Sequence, residues 1–297
     1  MDIRDLWIFK ELAENGNTMK TAEKLNYVQS NITGRIKKLE AELQTQLFYR
    51  HARGVSLTSK GTLLLSYTDQ ILHLMDTTKK AVQDSEMIRG PLYLGANETT
   101  ASARLPALLA SYNQRYPEVD LSLKIGETHT LIKDVLNYKL DGAFVVGPVQ
   151  DADLIQMPVM EEALVLITAQ RHSLLSWTDL NDQTLLTRPS CIYRKRLEQW
   201  LQEEGIFPKK IIEFGTLESI IGCVKAGLGV SITTQSLVKQ YQVEKELNLH
   251  PLPPRYSKVR TVFIRREDTF VDRAYKSFLS MVKQEDPTKL NNRKDIP

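Results

Sequence analysis

Apolar side chains in the first part of the chain recur at spacings of three and four. Ile3, Leu6, Phe9, Leu12 and Ala13 share one side of a helix over residues 2–14, which Gly16-Asn17 ends. Met19, Ala22 and Leu25 face inward from a shorter helix over residues 18–25, followed by a turn at Asn26-Tyr27. A third helix is predicted over residues 29–43. Its apolar residues Ile32, Ile36, Leu39 and Leu43 form one stripe, and Gln29, Ser30, Asn31, Thr33, Arg35, Lys37 and Lys38 lie off it. The period then changes. Residues 47–51 and 55–58 are short β-prone runs around Ala52-Arg53-Gly54, which predicts a hairpin.

From Thr62 to Arg89 no Pro or Gly interrupts the chain, and Thr58-Ser59 offers an N-cap, so a helix of about 28 residues and ~42 Å is allowed. Leu64, Tyr67, Ile71, Leu74, Thr78, Ala81 and Ser85 follow alternating three- and four-residue steps, the seam of a coiled coil that weakens after Thr78. The seam predicts a dimer; a helix packed on its own chain is the alternative. Gly90-Pro91 breaks the helix, and an α/β pattern begins. Strands are expected at 92–94, 119–125, 142–146, 163–168, 211–214, 230–233 and 259–264, with helices near 101–115, 128–139, 193–204, 216–226 and 270–284. Such alternation predicts parallel sheets with ligand sites beyond the strand carboxyl ends.

A chain of 297 residues is long enough for two or three domains, and 25% charged with 42% hydrophobic residues is an ordinary globular balance. The absence of a long apolar run and the acidic start at Asp2 and Asp5 argue against membrane insertion and an export signal, so the expected location is cytoplasmic. Two cysteines, Cys191 and Cys223, are too few to staple the fold. The net charge of +3 hides an uneven distribution. Lys20, Lys24, Arg35, Lys37, Lys38, Arg50, Arg53 and Lys60 face only Glu23, Glu40 and Glu42 between positions 20 and 60. A basic cluster of this kind suits a polyphosphate partner, because neutralising phosphates releases condensed counterions; a solvated basic face is the alternative.

The third helix has a matching chemistry. Gln and Asn pair with adenine edges and Arg with guanine in the major groove of double-stranded DNA, while Ser, Thr and Lys hold phosphates. Arg50 and Arg53 on the hairpin would reach phosphate or the neighbouring minor groove. Gly34 would permit close packing on DNA or on the first helix. Enzyme signatures are missing: His51, His73, His129, His172 and His250 are scattered, and neither a Gly-x-Ser-x-Gly nor a phosphate loop is present. Gly227-Leu228-Gly229 precedes a strand and reads as a turn. No metal or cofactor is expected.

Phe9, Ala22, Leu25, Gln29-Ser30, Arg35-Ile36, Leu39-Glu40, Leu43, Leu47-Phe48, Arg50, Leu57-Thr58 and Gly61 together resemble the DNA-binding domain of the LysR-type transcriptional regulators. Met19, Val28 and Thr33 stand where that family usually has Ser, and Gln44 where Gly commonly follows Leu43. Ser30, Asn31 and Thr33 would then take over phosphate contacts. The resemblance implies an all-α winged helix-turn-helix N-terminal domain (1–58), a long linker helix that dimerises (59–89) and an α/β two-lobed C-terminal domain built like a periplasmic binding protein (90–285). Its first lobe would comprise about 90–160 and 266–285, its second about 161–265, with a disordered tail at 286–297. It further implies an inverted-repeat operator, a dimer or tetramer of the chain, RNA polymerase as a possible partner, and a small-molecule effector of unknown identity between the lobes. Loops leaving the strands nominate Asn97, Glu98, Thr99, Thr100, Thr128, His129 and Gly147 from the first lobe and Ser190, Cys191 and Thr216 from the second. Hydroxyls at such places serve equally as helix caps. Glu98 would repel the anionic effectors common among relatives. The rival readings are a thiol-redox sensor using Cys191, an enzyme or ligand-binding protein of the α/β cleft class, and a DNA-packing protein without sequence choice.

Overall fold

The computed structural model describes residues 1–82, 87–171, 176–189 and 192–284. These form two compact units, Met1–Glu86 with Asn137–Lys139, and the remainder of the chain.

The first unit opens with α1 (Ile3–Asn15), α2 (Thr18–Leu25) and α3 (Gln29–Glu42). Asp2 caps α1 through the N–H of Arg4, and Asn17 caps α2 by accepting from Met19 N (2.9 Å) and Lys20 N (3.2 Å). Val28 precedes α3 and supplies no side-chain cap. Ile8, Phe9, Leu12, Ala22, Ile32, Ile36 and Leu39 close the core together with Leu47 and Phe48 of the hairpin. Two inward assignments fail: Ile8 is fully buried in place of Ile3, and Met19 is 55% exposed. An eight-residue helix has only two turns, so Ala22 and the half-buried Leu25 fill its inner face without Met19.

Strands β1 (Phe48–His51) and β2 (Gly54–Leu57) pair antiparallel with His51 opposite Gly54. Gly54 adopts φ 136, and a Cβ there would lie 2.1 Å from the carbonyl oxygen of Gly16, which accepts from Val55 N at 2.8 Å. Glycine is required where the hairpin meets the end of α1. α4 (Ser59–Val82) follows, capped by Thr58, whose hydroxyl accepts from Gly61 N (2.9 Å) and donates to Gln46 O (2.8 Å). Lys10 ties α1 to the buried Asp69 of α4 at 2.7 Å. The seam position Ser85 lies outside the described residues.

The second unit continues with β3 (Gly90–Ala96), α5 (Glu98–Ala103), α6 (Leu105–Arg115), β4 (Val119–Ile125), α7 (Thr128–Leu136), β5 (Gly142–Gly147), β6 (Leu154–Ala169), β7 (Thr184–Thr187) and α8 (Ile192–Glu203). It ends with β8 (Lys210–Glu213), α9 (Leu217–Lys225), β9 (Ser231–Thr234), α10 (Gln235–Gln240), β10 (Leu247–Pro251), β11 (Lys258–Arg266) and α11 (Arg273–Gln284). A seven-stranded sheet runs β10-β6-β11-β5-β3-β4, with β9 also on β6. Only part of it is parallel: β3 pairs parallel with β4 and β5, whereas β11 lies antiparallel between β5 and β6.

That departs from the parallel sheets expected, because β6 and β11 pass from one lobe to the other. The sixteen-residue β6 pairs with β11 along its first half and with β9 and β10 along its second. The first half was hidden in the sequence, since Pro158 and two glutamates interrupt its apolar run. In the second half, Leu164 and Leu166 face Leu185, Leu197 and Trp200, while Val165 and Ile167 face Ile220, Val224 and Leu237. A strand buried on both faces reads as a continuous apolar run. The first lobe packs Leu94, Leu105, Tyr112 and Phe144 against Phe263 and Phe278, so its last helix returns from the far end of the chain. The helix expected over 101–115 is two. Arg104 leaves helical geometry at φ −126, and Pro106 occupies the first turn of α6, where its missing N–H costs nothing.

Candidate functional site

In the first unit, Gln29, Ser30, Asn31, Lys37 and Lys38 are exposed on α3, Thr33 is half-buried, and Arg50 and Arg53 are exposed on the hairpin. Among the described residues no carboxylate lies within ion-pair distance of Lys37, Lys38, Arg50 or Arg53. Their charge is free for a phosphate partner. Gln29 Nε2 donates to Thr18 Oγ1 at 3.0 Å, which joins α3 to α2 across the turn. Arg35 also has a structural partner. Its guanidinium donates at 2.6 Å to Asp5, a carboxylate only 2% exposed, so the half-buried side chain ties α3 to α1. Beyond its chain neighbours and the backbone of its own helix, no atom lies within 4 Å of a Cβ built on Gly34, so this glycine serves no packing on α1.

In the second unit, a cavity of about 200 Å³ opens between the lobes. Asn97, Glu98 and Thr99 enter it from the start of α5, and Gly126, Glu127, Thr128, His129 and Ile132 from the start of α7. Val146 of β5 also lines it, and Arg188, Pro189, Tyr193 and Lys195 line it from the second lobe. Asn97 caps α5 through Oδ1, accepting from Thr100 N at 2.9 Å, while its buried Nδ2 has no partner among the described residues. Glu98 is hydrogen-bonded to Arg188 across the cleft, and His129 Nδ1 stands 3.3 Å from Glu127. Apolar walls with a few converging polar groups are the usual composition of a small-molecule site. Among the described residues no cluster of His, Cys, Asp and Glu could hold a metal ion, and no helix is long and apolar enough to cross a membrane.

A family model described as a bacterial regulatory helix-turn-helix protein of the lysR family matches residues 3–62, and one described as the LysR substrate binding domain matches residues 85–287. The chain belongs to the LysR family of transcriptional regulators. Among curated LysR-family relatives, the HTH-type transcriptional regulator GltR of Bacillus subtilis (strain 168) is 46% identical over 94% of this chain and 95% of its own. SoxR of Arthrobacter sp. (strain TE1826), also named an HTH-type transcriptional regulator, is 45% identical over 95% and 97%. The crystal structure of full-length CbnR complexed with its target DNA superposes with a TM-score of 0.67 at 21% identity, over 96% of this chain and all of that one. At that identity the likeness speaks for the fold.

Within this LysR-family chain, five of the nominated cleft residues line the cavity: Asn97, Glu98, Thr99, Thr128 and His129. Three others do not. Thr100 is buried one position farther along α5, and Gly147 directs its missing Cβ at Val262 on β11 (2.7 Å to Cγ1). Thr216 caps α9, accepting from Ser219 N at 3.2 Å. Ser190 and Cys191 lie outside the described residues, and with them the thiol-redox reading. The concern that Glu98 would repel an anion is answered by its ion pair with Arg188. The sequence reading missed Arg188, Tyr193 and Lys195. Arg188 leaves β7, a strand of four residues too short to leave a pattern; the nearby signals were the cleft residues Ser190 and Cys191 and the helix expected over 193–204. The family's Gly after Leu43 also acquires a reason, since Gln44 sits there with φ 50.

Proposed function

We propose that a small molecule bound between the lobes adjusts the regulator's hold on an inverted-repeat operator, which two or four copies of the chain contact through α3 and the hairpin. The ligand half rests on one observation: the cavity is bridged by the Glu98–Arg188 pair, one partner from each lobe. A ligand that competes for either charge changes the contact that joins the lobes, and an equilibrium between lobe arrangements shifts by the ligand's differential affinity for them. The DNA half is supported by the unpaired cations on α3 and the hairpin.

The test has two stages. Selection of bound fragments from random DNA by the purified chain, at two salt concentrations, is expected to return an interrupted inverted repeat; no enrichment would sink the sequence-specific reading. A thermal-shift screen of small metabolites on the wild type, Thr99→Ala and Thr128→Ala should then yield compounds that stabilise only the wild type and alter its operator affinity. Compounds that stabilise all three chains equally would place the ligand elsewhere. No specific observation favours the thiol-redox, enzymatic or DNA-packing readings.

A further inference from the structure

Val28 is the N-cap residue of α3. Its backbone is extended (φ −83, ψ 146), and its carbonyl accepts from Asn31 N (3.0 Å) and Ile32 N (3.4 Å). Its side chain caps nothing and is 68% exposed. Both features cost stability. A Ser, Thr, Asn or Asp here would satisfy an N–H group of the first turn, and an isopropyl group gains only when its apolar area leaves water. In the same unit α1, α2 and α4 do carry capping side chains, those of Asp2, Asn17 and Thr58. A residue that breaks a local rule without a gain inside the folded chain points to a gain made with a partner.

The surroundings of Val28 say which partner. Gln29, Ser30 and Asn31 follow it, all exposed, and the free cations Lys37 and Lys38 lie farther along the same helix. In a helix-turn-helix the first residues of the second helix meet base edges in the major groove. Those edges present hydrogen-bonding groups and one apolar group, the 5-methyl of thymine. Valine offers neither a donor nor an acceptor, so the methyl is the feature of the groove that rewards it. We propose that Val28 is a specificity-determining residue, which selects a thymine in each half-site by packing on its 5-methyl group. The proposal rests on α3 being the helix that enters the major groove, and it adds the identity of one base that helix chooses.

The test compares duplexes that differ only in that methyl. In the inverted repeat selected by the full chain, each thymine is replaced in turn by deoxyuridine, which pairs with adenine in the same way and lacks the 5-methyl group. For the wild type, one such replacement per half-site should weaken binding roughly fourfold, the effect of burying one methyl. The same replacement should have no effect on Val28→Ser, while Val28→Ile should keep the penalty. Lys37→Ala should weaken both duplexes alike and leave their ratio unchanged. Because Val28 is exposed, the serine variant loses no core contact, and its urea midpoint checks that it is folded. A wild type indifferent to every replacement, or a penalty that persists in Val28→Ser, would overturn the proposal. Should selection return no repeat, the operator reading fails by itself, and random duplexes synthesised with thymine or with uracil throughout decide on Val28. Tighter binding of the thymine pool, lost in Val28→Ser, would sustain the contact, and equal binding of the two pools by the wild type would overturn it.

Discussion

Gln44 and Val28 each hold a backbone position that another residue would fill better. At φ 50 the β-carbon of Gln44 is crowded by its own backbone, and Val28 has no oxygen to offer the free N–H groups of α3. Both Gln44→Gly and Val28→Ser are expected to stabilise the DNA-binding unit by about 1 kcal/mol, read as a higher urea midpoint at unchanged slope. Arg35 carries the opposite expectation. Arg35→Ala strands the buried Asp5 carboxylate, which costs about 3 kcal/mol, and should weaken binding to specific and random DNA alike through loss of folded protein. A loss confined to specific DNA, with an unchanged urea midpoint, would return Arg35 to base reading. The sequence placed Arg35 off the apolar stripe correctly; its partner thirty residues away on α1 was beyond any local pattern.

At the scale of the element, α4 leaves Leu63, Tyr67 and Leu74 exposed within its own chain, and two of these belong to the predicted seam. Burying such residues against a second α4 is the expected source of the dimer. Because Leu74 is 65% exposed in the single chain, Leu74→Glu should leave the fold intact and shift the protein toward monomer in sedimentation velocity. An unchanged dimer would move the interface off this helix. The hairpin and the three short helices were legible because each carries its own period and turn residues. The first half of β6 and the break at Arg104 were not, because Pro158 and two glutamates mask the strand and Pro106 is as compatible with a first helical turn as with a kink.

Across the second unit, burial of His250 beside Thr168 (Oγ1 to Nε2, 3.1 Å) holds its pKa below the ordinary 6.5. The unfolded chain therefore binds a proton more readily than the folded one. The stabilising contribution is complete above pH 6.5 and is lost as the pH falls from 6.5 through the lower folded value. Melting temperature should drop as the pH is lowered from about 7.5 to about 5.5, and His250→Gln should flatten that slope. Equal slopes would show that His250 does not carry the effect. At the same scale, the lining of the cleft is distributed over both lobes, with Glu98 ninety residues from Arg188.

The sequence by itself determined the three helices and hairpin of the first unit, the long helix, the α/β character of the remainder and the first-lobe half of the cleft. In each case periodicity, turn residues or a helix start lies within a dozen neighbouring positions. Tertiary structure alone decided that Arg35 pairs with Asp5, that β6 and β11 cross between lobes, and that Arg188 meets Glu98. Those outcomes depend on which groups distant segments bring into contact, and a local pattern records a side chain's direction but not the partner it will find there.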